Sequence, residues 1–250
     1  ACLSYYGYDF IKNRLFKNID TFLNNNNYNV FTHIGMLNEH RKSINFYKKN
    51  KIFYQNLKKQ KYILIAANYQ PEASSYPMAD DDYNHIDFIS EISIKKNLNI
   101  LYKEHYDSFY YYLDLIRNTK VGVYRSKEYY DQIIKLGCKI LDEKTNITNK
   151  WFLDNTIPVT IGGSIAIERS LMGYKSVSIG SPWYHGMPGV LSLDQFLKIK
   201  INNSFFKKDK NIAKKSRIFL IKKLNYKCFP NDFGLGAIEK NNDQKILRNK

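Results

Sequence analysis

The segment Ile157-Pro-Val-Thr-Ile-Gly-Gly-Ser-Ile-Ala-Ile-Glu168-Arg-Ser-Leu-Met-Gly173-Tyr-Lys-Ser-Val-Ser-Ile179-Gly-Ser-Pro-Trp-Tyr-His-Gly-Met-Pro-Gly-Val190 decides how the rest of the chain is read. It opens with a short run rich in β-branched residues, 157–161, of the kind that forms a strand buried on both faces. Gly162 and Gly163 follow, and the chain turns there, because glycine reaches backbone angles closed to other residues and lets a ligand approach the main chain. Ser164 suits the N-cap or first turn of a helix. Ile165, Ala166, Ile167, Leu171 and Met172 give that helix an apolar side, and Gly173 is its expected C-terminal stop. Residues 175–179 read as the next buried strand, completing a β–Gly-Gly-Ser–α–β unit.

Such a unit is suited to binding an anion. The first N–H groups of a helix lack partners, and the helix dipole adds partial positive charge where they point. Gly162, Gly163 and Ser164 would cradle a phosphate there. Glu168, four residues beyond Ser164, projects from the same face one turn deeper, where it could accept hydrogen bonds from a ribose diol. The plainer alternative is a tight turn with Glu168 stabilising the helix N-terminus. Spacing alone leaves both open.

Working outward, residues 62–67 are a near-continuous apolar run typical of a central parallel strand, ending at Asn68-Tyr69-Gln70-Pro71-Glu72. Ligands of open α/β sheets bind beyond the carboxyl ends of strands, so Gln70 and Glu72 stand where substrate contacts are expected. An ordinary strand-exit turn is the other reading. Asp80, Asp81, Asp82, His85 and Asp87 have neither EF-hand spacing nor a regular metal-ligand pattern. Directly ahead of an apolar helix at 86–94, they are expected to stabilise its N-terminus rather than hold a metal. A second strand at 99–102 runs into Lys103-Glu104-His105. His105 could donate to a phosphate oxygen or leaving group with Lys103 adding positive charge, or it could be a structural histidine at a strand end.

The aromatics 109–112 read as packing. Ser126 is the expected N-cap of a helix that Gly137 ends, and Arg125 before it faces either an anionic ligand or an exposed acid. A short strand at 139–141 and a short helix at 149–154 lead back to the Gly-Gly-Ser unit. Beyond that unit, Trp183 and Tyr184 could stack on a base or sugar, or plug the core. The alternation predicts an α/β fold, a Rossmann-like parallel sheet with helices on both faces, plus helical N- and C-terminal segments. Three parts are expected: a helical lead-in at 1–60, a Rossmann-like domain at 61–200 and a basic helical tail at 201–250. In the lead-in, 46–57 reads as an amphipathic helix, and His33, Glu39 and His40 as surface residues. Ala1 in place of a methionine suggests that an N-terminal portion precedes the chain.

Taken together, Gly-Gly-Ser-x-x-x-Glu at 162–168, Gly-Tyr-Lys-Ser-Val at 173–177 and Gly-Ser-Pro-Trp-Tyr-His-Gly-Met-Pro-Gly-Val at 180–190 resemble the capsule and surface-polysaccharide biosynthesis glycosyltransferases, a group that includes transferases of Kdo-type sugars. The resemblance runs over about residues 60–195. It takes in the Gln-Pro-Glu element at 70–72, which in that family belongs to the active cleft, and an Arg-Ser-x-x-aromatic-Tyr element at 125–130. Relatives carry Lys-Glu-His-Pro where this chain has Tyr106 after His105, a departure that costs the loop rigidity. The resemblance implies a GT-B-type fold of which this chain is the C-terminal, donor-binding half, with no cofactor or metal. It implies a nucleotide-sugar donor, CMP-Kdo-like or UDP-linked, and a glycan or glycolipid acceptor. Gly163 and Ser164 would hold phosphate and Glu168 the ribose, with His105, Gln70 and Glu72 near the transferred sugar. A UDP-sugar 2-epimerase, with a GT-B-like fold, is the enzymatic alternative.

Composition sets the remaining bounds. With 44% hydrophobic residues the chain can bury a core, and no apolar run approaches the ~20 residues that span a bilayer. Cys2, Cys138 and Cys228 form no disulfide framework or zinc motif. A cytoplasmic protein is expected, peripheral at the inner face of the plasma membrane if its basic tail meets anionic lipid. The net charge is +16, and residues 196–250 hold fifteen Lys or Arg against four Asp or Glu. Lysine outnumbers arginine 32 to 7 in a chain rich in Asn, Ile and Tyr, so part of that charge is compositional. A polyanion- or nucleic-acid-binding module is the non-enzymatic alternative, and no nucleic-acid partner is expected.

Overall fold

A computed structural model describes residues 30–68, 85–109 and 125–226. They form two compact units, 30–68 with 85–109 and 125–146 in the first, and 147–226 in the second. Both are α/β, and together they hold six strands, each parallel to its neighbour, with flanking helices.

In the first unit, α1 (Val30–Asn50) leads to β1 (Tyr62–Ala66), α2 (His85–Lys95), β2 (Asn99–Lys103), α3 (Lys127–Lys135) and β3 (Lys139–Ile140). The strand order is β3-β2-β1, with Tyr62 opposite Asn99 and Leu101 opposite Lys139. Tyr62, Ile63, Leu64 and Ile65 are all fully buried, as expected of a parallel strand covered on both faces. Ser126 caps α3 by accepting from the Tyr129 N–H at 3.1 Å, and Asp87 lies in the first turn of α2.

The lead-in departs from its reading. Helix α1 ends at Asn50, and Ile52 forms a parallel bridge to Leu141 instead of continuing a helix through 57. The reason is the open edge beside β3. The Ile52 N–H donates to Ile140 O at 2.8 Å, its carbonyl accepts from the Asp142 N–H at 2.9 Å, and Lys51 Nζ reaches Asp142 Oδ1 at 2.6 Å. Tertiary pairing outweighs a helical propensity worth only tenths of a kcal/mol per residue (roughly 0–0.7). His40 is a second correction. It is buried, on the same face of α1 as Ser43 and Tyr47, whereas Glu39 is exposed and paired with Lys42.

In the second unit, α4 (Lys150–Asn155) leads to β4 (Thr156–Ile161), α5 (Ile165–Met172), β5 (Ser176–Ile179), β6 (Val190–Leu191), α6 (Leu193–Lys198) and α7 (Lys210–Tyr226). The order is β4-β5-β6, with Val159 opposite Val177 and Ser176 opposite Val190. All six residues of β4 and all four of β5 are buried. Gly173 stops α5 in the left-handed conformation, φ +89°, as its position after the apolar stripe predicts.

Two polar devices tie this unit together. Arg169, on the buried side of α5 and 1% exposed, reaches the C-terminal end of α4. Its Nη1 donates to Leu153 O at 3.1 Å, and its Nη2 to Phe152 O at 3.0 Å and Thr156 Oγ1 at 2.9 Å. These acceptors lie at the C-terminal end of α4, where the helix dipole favours a cation. Burial pulls the Arg169 pKa down to about 10, so it remains charged at neutral pH. Helix α7 crosses α5 at two hydroxyls, Ser170 and Ser216, hydrogen-bonded at 2.6 Å, with Ser170 Oγ donating to Pro188 O.

Candidate functional site

The carboxyl end of β4 delivers the chain to Gly162, whose φ of +63° only glycine adopts without strain. Helical bonding starts at once, with the Ala166 N–H on Gly163 O at 3.3 Å and the Glu168 N–H on Ser164 O at 3.0 Å. Among the described residues, the N–H groups of Gly163, Ser164 and Ile165 have no acceptor. They stand at the N-terminal end of α5, where partial positive charge collects. Ser164 and Glu168 are exposed beside them.

Ser164 does not cap. It has helical angles, φ −61° and ψ −25°, whereas a capping side chain needs an extended backbone to fold over onto the next amides. Its Oγ donates instead to Glu168 Oε1 at 3.0 Å. A hydroxyl and a carboxylate thus lie bonded to each other beside those amides. That face can receive an oxyanion, and the carboxylate, an acceptor only, can take hydroxyl donors.

Tyr184 holds the turn from beneath. It is fully buried, and its hydroxyl donates to Gly163 O at 2.9 Å and lies 3.0 Å from Ser178 Oγ on β5. Burial pushes this phenol up to about 12. Of the two aromatic alternatives, Tyr184 therefore takes the packing one, and its proposed stacking on a ligand is corrected: a ring with no exposed face offers none. Trp183 is 41% exposed, nearly perpendicular to Tyr184 at 5.6 Å between ring centroids.

The first unit gathers a different cluster at the carboxyl end of β2. Its centre is Glu104, which the sequence reading passed over. The residue is fully buried and its carboxylate accepts five hydrogen bonds. Oε2 takes Tyr102 Oη at 2.9 Å, Tyr130 Oη at 2.9 Å and Arg125 Nε at 2.5 Å. Oε1 takes the His105 N–H at 2.9 Å and Ser108 Oγ at 3.2 Å. A sequence signal existed. Tyr102 and Glu104 share a strand face at a spacing of two, and Arg125, Tyr129 and Tyr130 lie within about a helical turn of one another.

Arg125 is accordingly corrected. It is 5% exposed, bonded to Glu104 and, through Nη2, to Asn68 O at 3.0 Å, and it lies over the Tyr129 ring at 4.9 Å. Burial alone would depress its pKa, but the Glu104 carboxylate together with Tyr102, Tyr129 and Tyr130 more than offsets that and holds it well above the usual value. Its charge is spent inside the protein rather than on a ligand. Lys103 is half-buried, its pKa lowered by burial against the raising effect of Glu104, Asp142 and Glu143.

His105 is half-exposed, with its main chain fixed on both sides: the N–H on Glu104, the carbonyl accepting from the Ser108 N–H at 3.1 Å. The rigidity a proline at position 106 would supply comes here from a carboxylate. Gln70, Glu72 and Asp80–Asp82 lie outside the described residues, whereas His85 is buried against Phe88, Tyr102 and Tyr129.

The chain matches no protein-family model and no curated protein. Among solved structures it is similar to Thermosulfurimonas dismutans KpsC, a beta Kdo 2,7 transferase, at 13% identity and a TM-score of 0.40 over 75% of this chain. The match takes in 55% of that chain, so the present sequence spans about half of its length.

Proposed function

We propose that this chain is the donor-binding part of a GT-B-type glycosyltransferase of capsular or other cell-surface polysaccharide biosynthesis, taking its sugar from a CMP-Kdo-like or UDP-linked donor. One observation carries the reading: the N–H groups of Gly163, Ser164 and Ile165, without an acceptor among the described residues, lie at a helix N-terminus beside Ser164 and Glu168, bonded at 3.0 Å. In this reading a donor phosphate takes the amides, and the ribose diol takes the Glu168 carboxylate in exchange for the Ser164 hydroxyl. As the sugar leaves, charge grows on the departing phosphate, and fixed amides stabilise it without having to reorganise. Lys103, His105, Gln70 and Glu72 belong to the reading through their places at strand ends in the sequence and the motif resemblance.

Thermal-shift measurements with CMP-, UDP- and GDP-linked sugars test it. A donor at a hundred times its Kd adds about 2.7 kcal/mol to the native state and raises Tm by a few degrees. Ser164→Ala and Glu168→Ala should each remove the shift while leaving the unliganded Tm within about 1 °C, since both side chains are exposed. A shift that persists in both variants overturns the site. Sugar-nucleotide turnover without acceptor would assign an epimerase instead. Steeply salt-dependent binding to duplex DNA, unchanged in both variants, would assign a polyanion-binding module.

A further inference from the structure

We infer that the outward face of helix α7 docks on an anionic lipid bilayer. The helix has a definite inner side: Ile212, Ser216, Phe219 and Leu220 follow the spacing of one face, with Phe219 and Leu220 packed on the cluster of Ala166, Tyr184 and Met187 and Ser216 bonded to Ser170. Opposite that side lie Lys214, Ile218 and Ile221, the two isoleucines 44% and 58% exposed and one turn apart. Arg217 flanks them on one side, Lys215 and Lys222 on the other, all exposed. No acidic residue occurs between Lys210 and Tyr226.

Charge and apolar surface together select the occupant. A helix lying in a bilayer interface buries its apolar stripe just below the headgroups while flanking lysines extend their charges back to phosphate. Two isoleucines ringed by cations meet that requirement over a helix about 25 Å long. A second copy would bring like charges face to face. A nucleic-acid backbone would use the lysines and leave the isoleucines in water. No helix among the described residues is long and apolar enough to cross a membrane, so the contact is superficial.

The test is co-sedimentation of the whole chain with vesicles at 0.1 M salt. Binding is expected to vesicles of phosphatidylcholine with 30% phosphatidylglycerol, and not to phosphatidylcholine alone. Ile218→Ser with Ile221→Ser should weaken partitioning about tenfold or more, and Lys214→Glu with Lys222→Glu at least as much. All four side chains are exposed, so circular dichroism and Tm should match the parent. Equal binding to both vesicle types, or undiminished binding by the isoleucine pair variant, overturns the inference. So does a parent chain that self-associates through these isoleucines, or that binds duplex DNA with an affinity the isoleucine changes leave untouched.

Discussion

Glu104→Gln should be among the most damaging conservative changes in the first unit. The amide preserves shape but removes the charge facing Arg125 Nε at 2.5 Å and makes a donor of one of two oxygens that accept five hydrogen bonds. Whichever way the amide turns, either the His105 N–H and Ser108 hydroxyl or the Arg125 side of the cluster meets an NH₂ group. Leaving a buried charge unpaired costs about 3–5 kcal/mol. Against a native stability of roughly 5–15 kcal/mol, that brings the unit close to unfolding at ambient temperature.

Urea titration followed by hydrogen exchange of peptides covering β2 is the assay. Tryptophan fluorescence is the wrong probe, because Trp151 and Trp183 both belong to the second unit. With an m-value of about 2 kcal/mol per molar urea, the midpoint should fall by roughly 2 M. Adding Arg125→Met should recover part of the loss, since the double variant no longer buries a lone cation, giving a coupling energy of about 2 kcal/mol or more. A cost below about 1 kcal/mol for Glu104→Gln, or strict additivity with Arg125→Met, would refute the account of this cluster.

Other outcomes follow from single features. Burial, with Arg125 adding to it, holds the His85 pKa well below its usual 6.5. The unfolded chain therefore binds a proton that the folded one refuses: stability contributed by neutral His85 is complete above pH 6.5 and declines as pH falls toward its folded pKa, by at most about 1.4 kcal/mol per pH unit. His85→Phe should remove that component of the slope between pH 6.5 and 5; an unchanged slope refutes it. Gly173→Ala should cost more than about 2 kcal/mol, because a left-handed backbone is combined with a Cβ 2.5 Å from Asp209 O. Gly137→Ala, at φ +83° with open space around its Cβ, should cost only about 1 kcal/mol, and equal losses in thermal unfolding would contradict the steric argument.

The regular part of the fold was legible because it is local. A β-branched run, two glycines, an apolar stripe and a stop glycine fixed β4, α5 and β5 to within a residue at most ends, and the all-apolar start of β1 marked a buried parallel strand. Ser126 and Asn149 were readable as caps or helix starts for the same reason. What escaped depends on partners distant in sequence. Ile52 leaves a helix for an edge 89 residues later, and Arg125 read equally well as a ligand contact because its partner, Glu104, lies 21 residues earlier on another element. Ser164 took the first-turn alternative: residue type favours capping, but its helical backbone angles withhold the capping geometry. Tyr184 shows the same limit, since an aromatic beside a turn reads alike whether it faces water or the core.

Glu168 and Arg169 are neighbours on α5, yet one is exposed and the other is sealed against the carbonyls of α4. Their separation rests on the phase with which the helix leaves the glycine turn. One inserted residue would rotate that phase by about 100°, swinging the acid toward electron-rich oxygens and the guanidinium toward water. The length of the turn is thus held by a buried cation, and loop-grafting at this position has to keep the residue count even where it changes every side chain.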